Sequence, residues 1–399
     1  MAENKDKKVL NVPNKRELTP NEFDTTEHKE VRLKHNVPNL RFKEFEGEWK
    51  MLALQDICTI NPKSSLLQDS FIYIDLEAVE KGELKNVQSI LREEAPSRAQ
   101  RVIEYNDILF QCVRPYQKNN YIHRIQNNNE QQWVASTGYA QIRTTESSSY
   151  IYHILNTDSF NRKVIVRCTG SSYPAINSTD LASIRFYFAT DKKEQNKIAT
   201  FLSLLDERIA TQNKIIDKLE SLIKGITQRI VYGNKPNTQI ANCLKCSSSS
   251  LQESEVKETG IYPVYGANGV VGYLDSYSTK HEAIYIIKDG SGVGSVSYVT
   301  GECSATGTLN ILEANKDFSL LYLYYILKIF NFNPYRTGMA IPHIYFKDYS
   351  KAKIFCPPYE KQVKYAKLLS AIEEKLITEQ KILDSINLQK QYLLRQMFI

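Results

Sequence analysis

The chain repeats itself, and this restricts its fold more than any other feature. Gln195 to Ile230 reads QNKIATFLSLLDERIATQNKIIDKLESLIKGITQRI, and Gln362 to Met397 reads QVKYAKLLSAIEEKLITEQKILDSINLQKQYLLRQM. At a shift of 167 positions, Gln195, Lys197, Ala199, Leu202, Ser203, Glu207, Thr211, Lys214, Ile215 and Asp217 each meet an identical residue. Unrelated amphipathic helices would share apolar spacing but not these polar identities. The match continues upstream with small changes of offset, as loop insertions require. GSSYPAI (Gly170 to Ile176) aligns with GMAIPHI (Gly338 to Ile344), Asp180 with Asp348, Thr137-Gly138 with Thr306-Gly307, and YIYHIL ending at Leu155 with YLYYIL ending at Leu327. Two copies of one unit account for nearly everything after residue 40.

Each unit is a mixed region followed by a long helix. Runs such as FIYIDL, DILFQCV, AQIRT, AIYIIK and SVSYV, bounded by Gly, Asn, Asp and Ser, are strand signals, whereas YIYHILN and SLLYLYYILKIF have helical length and spacing. The long segments carry a heptad seam: Leu202, Leu205, Ile209, Gln212, Ile216 and Leu219 in one, Leu369, Ile372, Leu376, Glu379, Leu383 and Ile386 in the other. At helical rise each is about 55–60 Å long and is the other's natural partner. Antiparallel pairing would put the domains at opposite ends, related by an approximate twofold, with Gln212 and Glu379 as the shared polar seam position that fixes register. The expected fold is α+β: two tandem mixed α/β domains separated and followed by long helices in an antiparallel coiled coil with a pseudo-twofold. Its expected divisions are a charged, flexible leader (1–37), domain one (38–190), the central helix (191–234), domain two (235–356) and the C-terminal helix (357–399).

Several function classes find no support. The amino terminus is charged and broken by Pro, without an apolar stretch for a signal or a membrane span, so a cytoplasmic protein is expected. Seven cysteines, an odd number scattered through a long chain, suit a reducing compartment. Cys243 and Cys246 form one CxxC without the second pair a structural zinc needs, and His28, His35, His123, His153, His281 and His343 never fall at ligand spacing, so no metal site is expected. DGSGVGS (Asp289 to Ser295) lacks the spacing of a phosphate loop and reads as a turn between strands. Cys356-Pro357-Pro358-Tyr359 has the outline of an amino-methyltransferase motif, but its first residue is a thiol where an Asn or Asp must accept a hydrogen bond from the target amine. No catalytic set emerges.

The arrangement resembles the DNA-specificity subunit of type I restriction-modification systems. NLRFKEFEGEWKMLALQDICTI from Asn39 looks like the family's opening segment, YPVYGANGVVGYLDSY from Tyr262 like the start of a second recognition domain, and PPYEKQ from Pro357 like its domain-to-helix junction. Copy one departs there, with ATDKKEQ in place of the Pro-rich form. The resemblance implies a non-catalytic reader of a bipartite double-stranded DNA target, one half-site per domain, with the helices setting the spacer. It implies no cofactor in this chain. It also implies assembly with two modification subunits, which use S-adenosylmethionine to methylate adenine, and with restriction subunits that use ATP and Mg. The competing class is a coiled-coil scaffold whose mixed domains bind proteins.

A reader needs forked or amide side chains for base edges and cations, hydroxyls or backbone N–H groups for phosphates. QCVRPYQKNNYIHR concentrates Gln111, Arg114, Tyr116, Gln117, Lys118, Asn119, Asn120 and Tyr121 after a strand. In copy two the corresponding region runs from Lys288 through Ser291 to Ser295, and the YGANG turn adds Tyr265 and Asn268. The paired GSSYPAI and GMAIPHI elements keep their glycine and proline while changing between them, as readers of different half-sites would. Ser172, Tyr173, Arg336, His343, Tyr345 and Lys347 complete the candidates. Little of the excess of 51 basic over 45 acidic residues lies in the proposed domains: residues 36–190 carry 17 of each sign and 236–356 carry 10 of each. Weak affinity of the isolated chain for DNA is expected, with partners supplying much of the phosphate attraction.

Overall fold

The computed structural model describes residues 36–85, 87–126 and 131–399; the leader reading falls on residues outside these, except for its last two positions. Both repeats fold on one plan. A short antiparallel pair ties the start of each domain to its end: Lys50–Ala53 with Arg185–Phe188 in the first, Thr238–Gln239 with Lys353–Ile354 in the second. Beyond this neck comes a four-stranded antiparallel sheet. Its spatial order is Cys58–Ile60, Tyr139–Thr144, Ile108–Gln111, Tyr121–Ile122 in domain one. The same order recurs in domain two as Leu244–Ser248, Leu309–Ala314, Glu282–Ile287, Val296–Thr300. A second sheet contains one parallel pair in each copy, Ser70–Ile74 with Gln132–Ser136 and Tyr262–Gly266 with Ser304–Ala305. Each sheet run read from the sequence overlaps one of these strands; AQIRT lies wholly inside its strand, and the others run one to three residues past theirs.

A helix covers each four-stranded sheet, Ser148–Leu155 in one copy and Leu320–Lys328 in the other. They are the apolar YIYHIL and YLYYIL segments, and their faces are buried almost throughout. The hydroxyl of their shared tyrosine reaches the neck, Tyr150 accepting from the Ala189 amide (3.3 Å) and Tyr322 donating to the Phe355 carbonyl (2.8 Å).

The long helices run Lys192–Tyr232 and Tyr359–Met397. Asp191 caps the first by accepting from the Lys193 amide, and Gly233 followed by Pro236 ends it. The repeated glutamine near each helix start explains why a polar residue was kept. Gln195 donates to the Ala189 carbonyl (2.8 Å) and accepts from the Ser147 amide (3.3 Å). Gln362 donates to the Pro357 carbonyl (2.8 Å) and accepts from the Ser319 amide (2.9 Å). Each long helix is thereby latched to the start of the covering helix of its own domain.

The two helices pack antiparallel. Leu202 and Leu205, near the start of the central helix, share a core with Leu393 and Met397 at the end of the C-terminal helix. Ile223 and Ile230 share the other core with Ala366 and Leu369. All twelve seam positions are buried or half-buried, and a fully buried leucine such as Leu202 contributes about 1.5–3 kcal/mol. At the midpoint the Gln212 side-chain amide donates to both the backbone carbonyl (3.0 Å) and the carboxylate of Glu379. These residues are repeat equivalents, and equivalents can touch only on the axis that relates the copies. The pseudo-twofold therefore passes between them. Lys375 and then Gln212 hold the Glu379 carboxyl below its ordinary range.

Domain one alone is further pinned by its opening segment. Glu194, buried in the first turn of the central helix, accepts both arms of the Arg41 guanidinium (2.6 and 2.8 Å) and the Trp49 indole N–H (3.3 Å). The corresponding position of the second helix is Lys361, so this fork belongs to one copy only.

Candidate nucleic-acid interface

In each domain the third strand of the four-stranded sheet releases a loop that is met by a hairpin returning from the covering-helix side. In copy one the Arg114 amide donates to the Pro174 carbonyl (2.8 Å), the Ile176 amide to the Cys112 carbonyl (3.1 Å), and Thr169 and Ala175 exchange bonds of 2.9 Å. In copy two the Gly290 amide donates to Pro342 (3.0 Å), Ile344 to Lys288 (3.0 Å), and Thr337 and His343 exchange bonds of 2.8 Å. The frames superpose residue for residue: Cys112 on Lys288, Arg114 on Gly290, Ala175 on His343. Gly170 and Gly338 open the hairpins at φ +90° and +87°. A Cβ on Gly338 would lie 2.3 Å from the Ile341 carbonyl oxygen, so both the dihedral and the space demand glycine.

The loop of copy one divides its polar residues between two tasks. Gln111 and Asn120 are buried: Gln111 donates to Gln117 (2.9 Å) and accepts from the Asn119 amide (3.2 Å), while Asn120 accepts from the Gln111 amide (2.9 Å) and donates to Asn156 (3.1 Å). Asn119 accepts from the Lys81 amide (3.1 Å), and Lys118 is paired with Asp158 (2.8 Å). Tyr121 is buried, which pushes its phenol up to about 12. These five side chains, unlike the base contacts expected of them, are engaged within the fold: the Gln111, Asn119 and Asn120 oxygens accept from backbone N–H groups, and the Gln111 and Asn120 amide nitrogens donate to Gln117 and Asn156. Tyr116 and Gln117 are exposed with Ser172 and Tyr173 of the hairpin, Gln117 using its side-chain oxygen to accept from Gln111, and Arg114 is half-buried beside them.

In copy two, Asn268 stands exposed at a two-residue hairpin turn, but Tyr265 packs edge-on against Tyr285 at 5.8 Å and belongs to the core beneath the sheet. Arg336 donates to the Val293 carbonyl (2.7 Å), bracing the DGSGVGS turn, which joins Glu282–Ile287 to Val296–Thr300 as expected. Lys288 is half-buried with its backbone engaged, Ser291 is exposed, and His343 Nδ1 lies 3.8 Å from Asp289. Lys347 sits 5.2 Å over the Tyr345 ring, and both are exposed. Sequence reasoning missed Met339 and Ile341, which protrude from the hairpin tip at 105% and 62% relative exposure. Apolar residues between a turn glycine and a proline, where no element can bury them, were the available signal.

Among the described residues no three His, Cys, Asp or Glu side chains converge as a metal set, and no helix is long and apolar enough to cross a membrane. Cys243 meets Cys356 (Sγ to Sγ 3.6 Å), not Cys246, because the neck brings the two ends of domain two together.

The model of the type I restriction modification DNA specificity domain matches residues 46–221 and 234–388, one match per copy. The chain belongs to that family. It is 25% identical over 141 residues to a putative type I restriction enzyme specificity subunit of Haemophilus influenzae, covering 35% of this chain and 36% of that one. To the EcoprrI specificity subunit of Escherichia coli it is 26% identical over 117 residues, 29% of each chain. To a putative type I specificity subunit of Mycoplasma genitalium it is 23% identical over 251 residues, 57% of this chain and 65% of that one. The aligned regions thus span less than two thirds of each relative's length. The fold of this family member matches the crystal structure of a type I restriction-modification S subunit from M. genitalium at a TM-score of 0.64 and 16% identity, covering 91% of this chain and 99% of that one.

Proposed function

We propose that this family member is the non-catalytic DNA-specificity subunit of a type I restriction-modification complex in the cytoplasm, reading a bipartite target with one domain per half-site. The observation that carries the reading is a shared loop-and-hairpin frame on two domains held at opposite ends of an antiparallel helix pair, with different side chains on the same backbone. The boundaries that follow are domain one over 38–190, the central helix over 191–234, domain two over 235–356 and the C-terminal helix over 357–399. Two modification subunits carrying S-adenosylmethionine and restriction subunits using ATP and Mg would supply the chemistry that this chain lacks. Arg114, Tyr116, Gln117, Ser172 and Tyr173 of domain one are the proposed contacts there. Asn268, Ser291, His343, Tyr345 and Lys347, joined by Met339 and Ile341, are their counterparts in domain two.

The test is a genome-wide map of methylated adenines in a host carrying the complete system. A single bipartite motif with a fixed spacer is expected, and replacing residues 38–190 by another family member's domain should change one half only. Methylation without sequence preference would sink the proposal and leave a coiled-coil scaffold as the better account.

A further inference from the structure

Arg114 occupies a backbone position at φ +53° and ψ +53°, in the left-handed region, where the other copy places Gly290 at φ +95°. Side chains other than Gly, Asn and Asp pay to be there, and the second copy shows that the frame is built without one. The Arg114 guanidinium lies 4.4 Å from the centroid of the Tyr173 ring, stacked on it. Among the described residues no hydrogen-bond or ion-pair partner is found for that guanidinium, whereas Arg41, Arg143 and Arg336 are each engaged. Tyr173 itself is 64% exposed, and Tyr116 and Gln117, which follow Arg114 closely in the chain, are exposed too. A fork of donors thus lies against an exposed aromatic ring, on a left-handed backbone position that costs a non-glycine residue energy.

We infer that Arg114 is a specificity-determining residue, donating two parallel N–H groups to O6 and N7 of one guanine in the half-site read by domain one, with Tyr173 as the platform that fixes its plane. This rests on the reading of the chain as a specificity subunit. Phosphate neutralisation needs charge alone and would be served by a flexible lysine; fixing the plane matters for a bidentate base edge, and guanine is the base with two adjacent acceptors in the major groove. The equivalent hairpin of domain two has Ile341 in place of Tyr173, Met339 in place of Ser171 and no arginine opposite, so its tip offers apolar surface where domain one offers a fork. The two halves of the target therefore differ in chemistry at equivalent positions.

The experiment is methylome mapping of the complete complex carrying Arg114→Gly, Arg114→Lys or Tyr173→Phe, with thermal melting of each purified full-length chain. Arg114→Gly places in copy one the residue that copy two uses, so it should melt no lower than the parent. It should relax one G·C position in one half-site, with selectivity there falling roughly tenfold to a hundredfold and the other half unchanged. Arg114→Lys should lose the same selectivity although the charge is kept, and Tyr173→Phe should retain it. An equal fall of methylation at all sites with the motif unchanged would overturn the assignment in favour of a phosphate contact. Relaxation at an A·T position would overturn the choice of guanine. A parent complex with no bipartite motif would instead bring down the functional reading on which the assignment stands.

Discussion

Gln212 and Glu379 occupy the same position of the repeat, and Gln212 donates to Glu379 across the helix pair. Replacing Glu379 by Leu removes one acceptor of a buried amide and the partner of Lys375. A loss of about 1–3 kcal/mol is expected by thermal or denaturant unfolding. Leucine at both positions should recover stability, since a matched apolar pair carries no desolvation cost. The double variant then tests what the polar pair is for: a broadened spacer in the methylation motif would show that it sets register.

Lengthening the rod symmetrically should lengthen the target. Four residues inserted after Gln212 and four after Glu379 add about one turn, or 6 Å, to each helix without mismatching their seam. At about 3.4 Å per base pair, the spacer between half-sites should grow by one to two pairs. An insertion in one helix alone should break register and lower activity. An unchanged spacer in an active doubly extended complex would falsify the role of the helices as the separator.

Burial holds the His153 imidazole down at about 3, with the nearby Lys390 ammonium adding to the effect, because the ring is sealed between its domain and Ser203 and Asp206 of the central helix. Its folded pKa is depressed, so the unfolded chain takes up the proton first as pH falls below about 6.5. Stability contributed by the neutral ring is present above that value and is lost at about 1.4 kcal/mol per pH unit toward pH 3. Asp206, which burial raises, acts with the opposite sign in the carboxylate range. The readout is therefore the difference between parent and His153→Leu: between pH 7 and 5 the variant's melting temperature should fall less steeply.

Gly338→Ala should damage one half of the site selectively. The added Cβ meets the Ile341 carbonyl oxygen at a dihedral of +87°, a cost of about 1–3 kcal/mol that distorts the hairpin tip. Methylation of targets altered in the half read by domain two should lose discrimination, while discrimination in the other half stays as in the parent. Equal damage to both halves would argue that the hairpins do not act separately.

Much of this architecture was legible because it is written twice. The repeat fixed the copy number, the heptads fixed the seam, and Gln212 and Glu379 stood out as the shared polar position expected to fix register, while their lying on the axis follows from their contact. The loops were less legible. Gln111 and Asn120 have the composition of base readers, yet their amides satisfy backbone groups inside the loop, a distinction that depends on where strands end rather than on residue type. Met339 and Ile341 went unnoticed for the converse reason: apolar side chains are assumed to be inside. The meeting of Cys243 with Cys356 depends on the neck strands, which are only two residues long in domain two and leave no periodic signal.

Met397 and Phe398 lie in the core of domain one, beside Trp49, Tyr150 and Leu202. On the ribosome, the core of domain one therefore stays incomplete until residues beyond domain two have been made. Nearly 200 residues separate Leu202 from Met397. At about 5–20 residues per second, the apolar surface that Met397 covers stays open for about 10–40 s. Truncation just before Met397 would leave domain two intact and uncap the core of domain one.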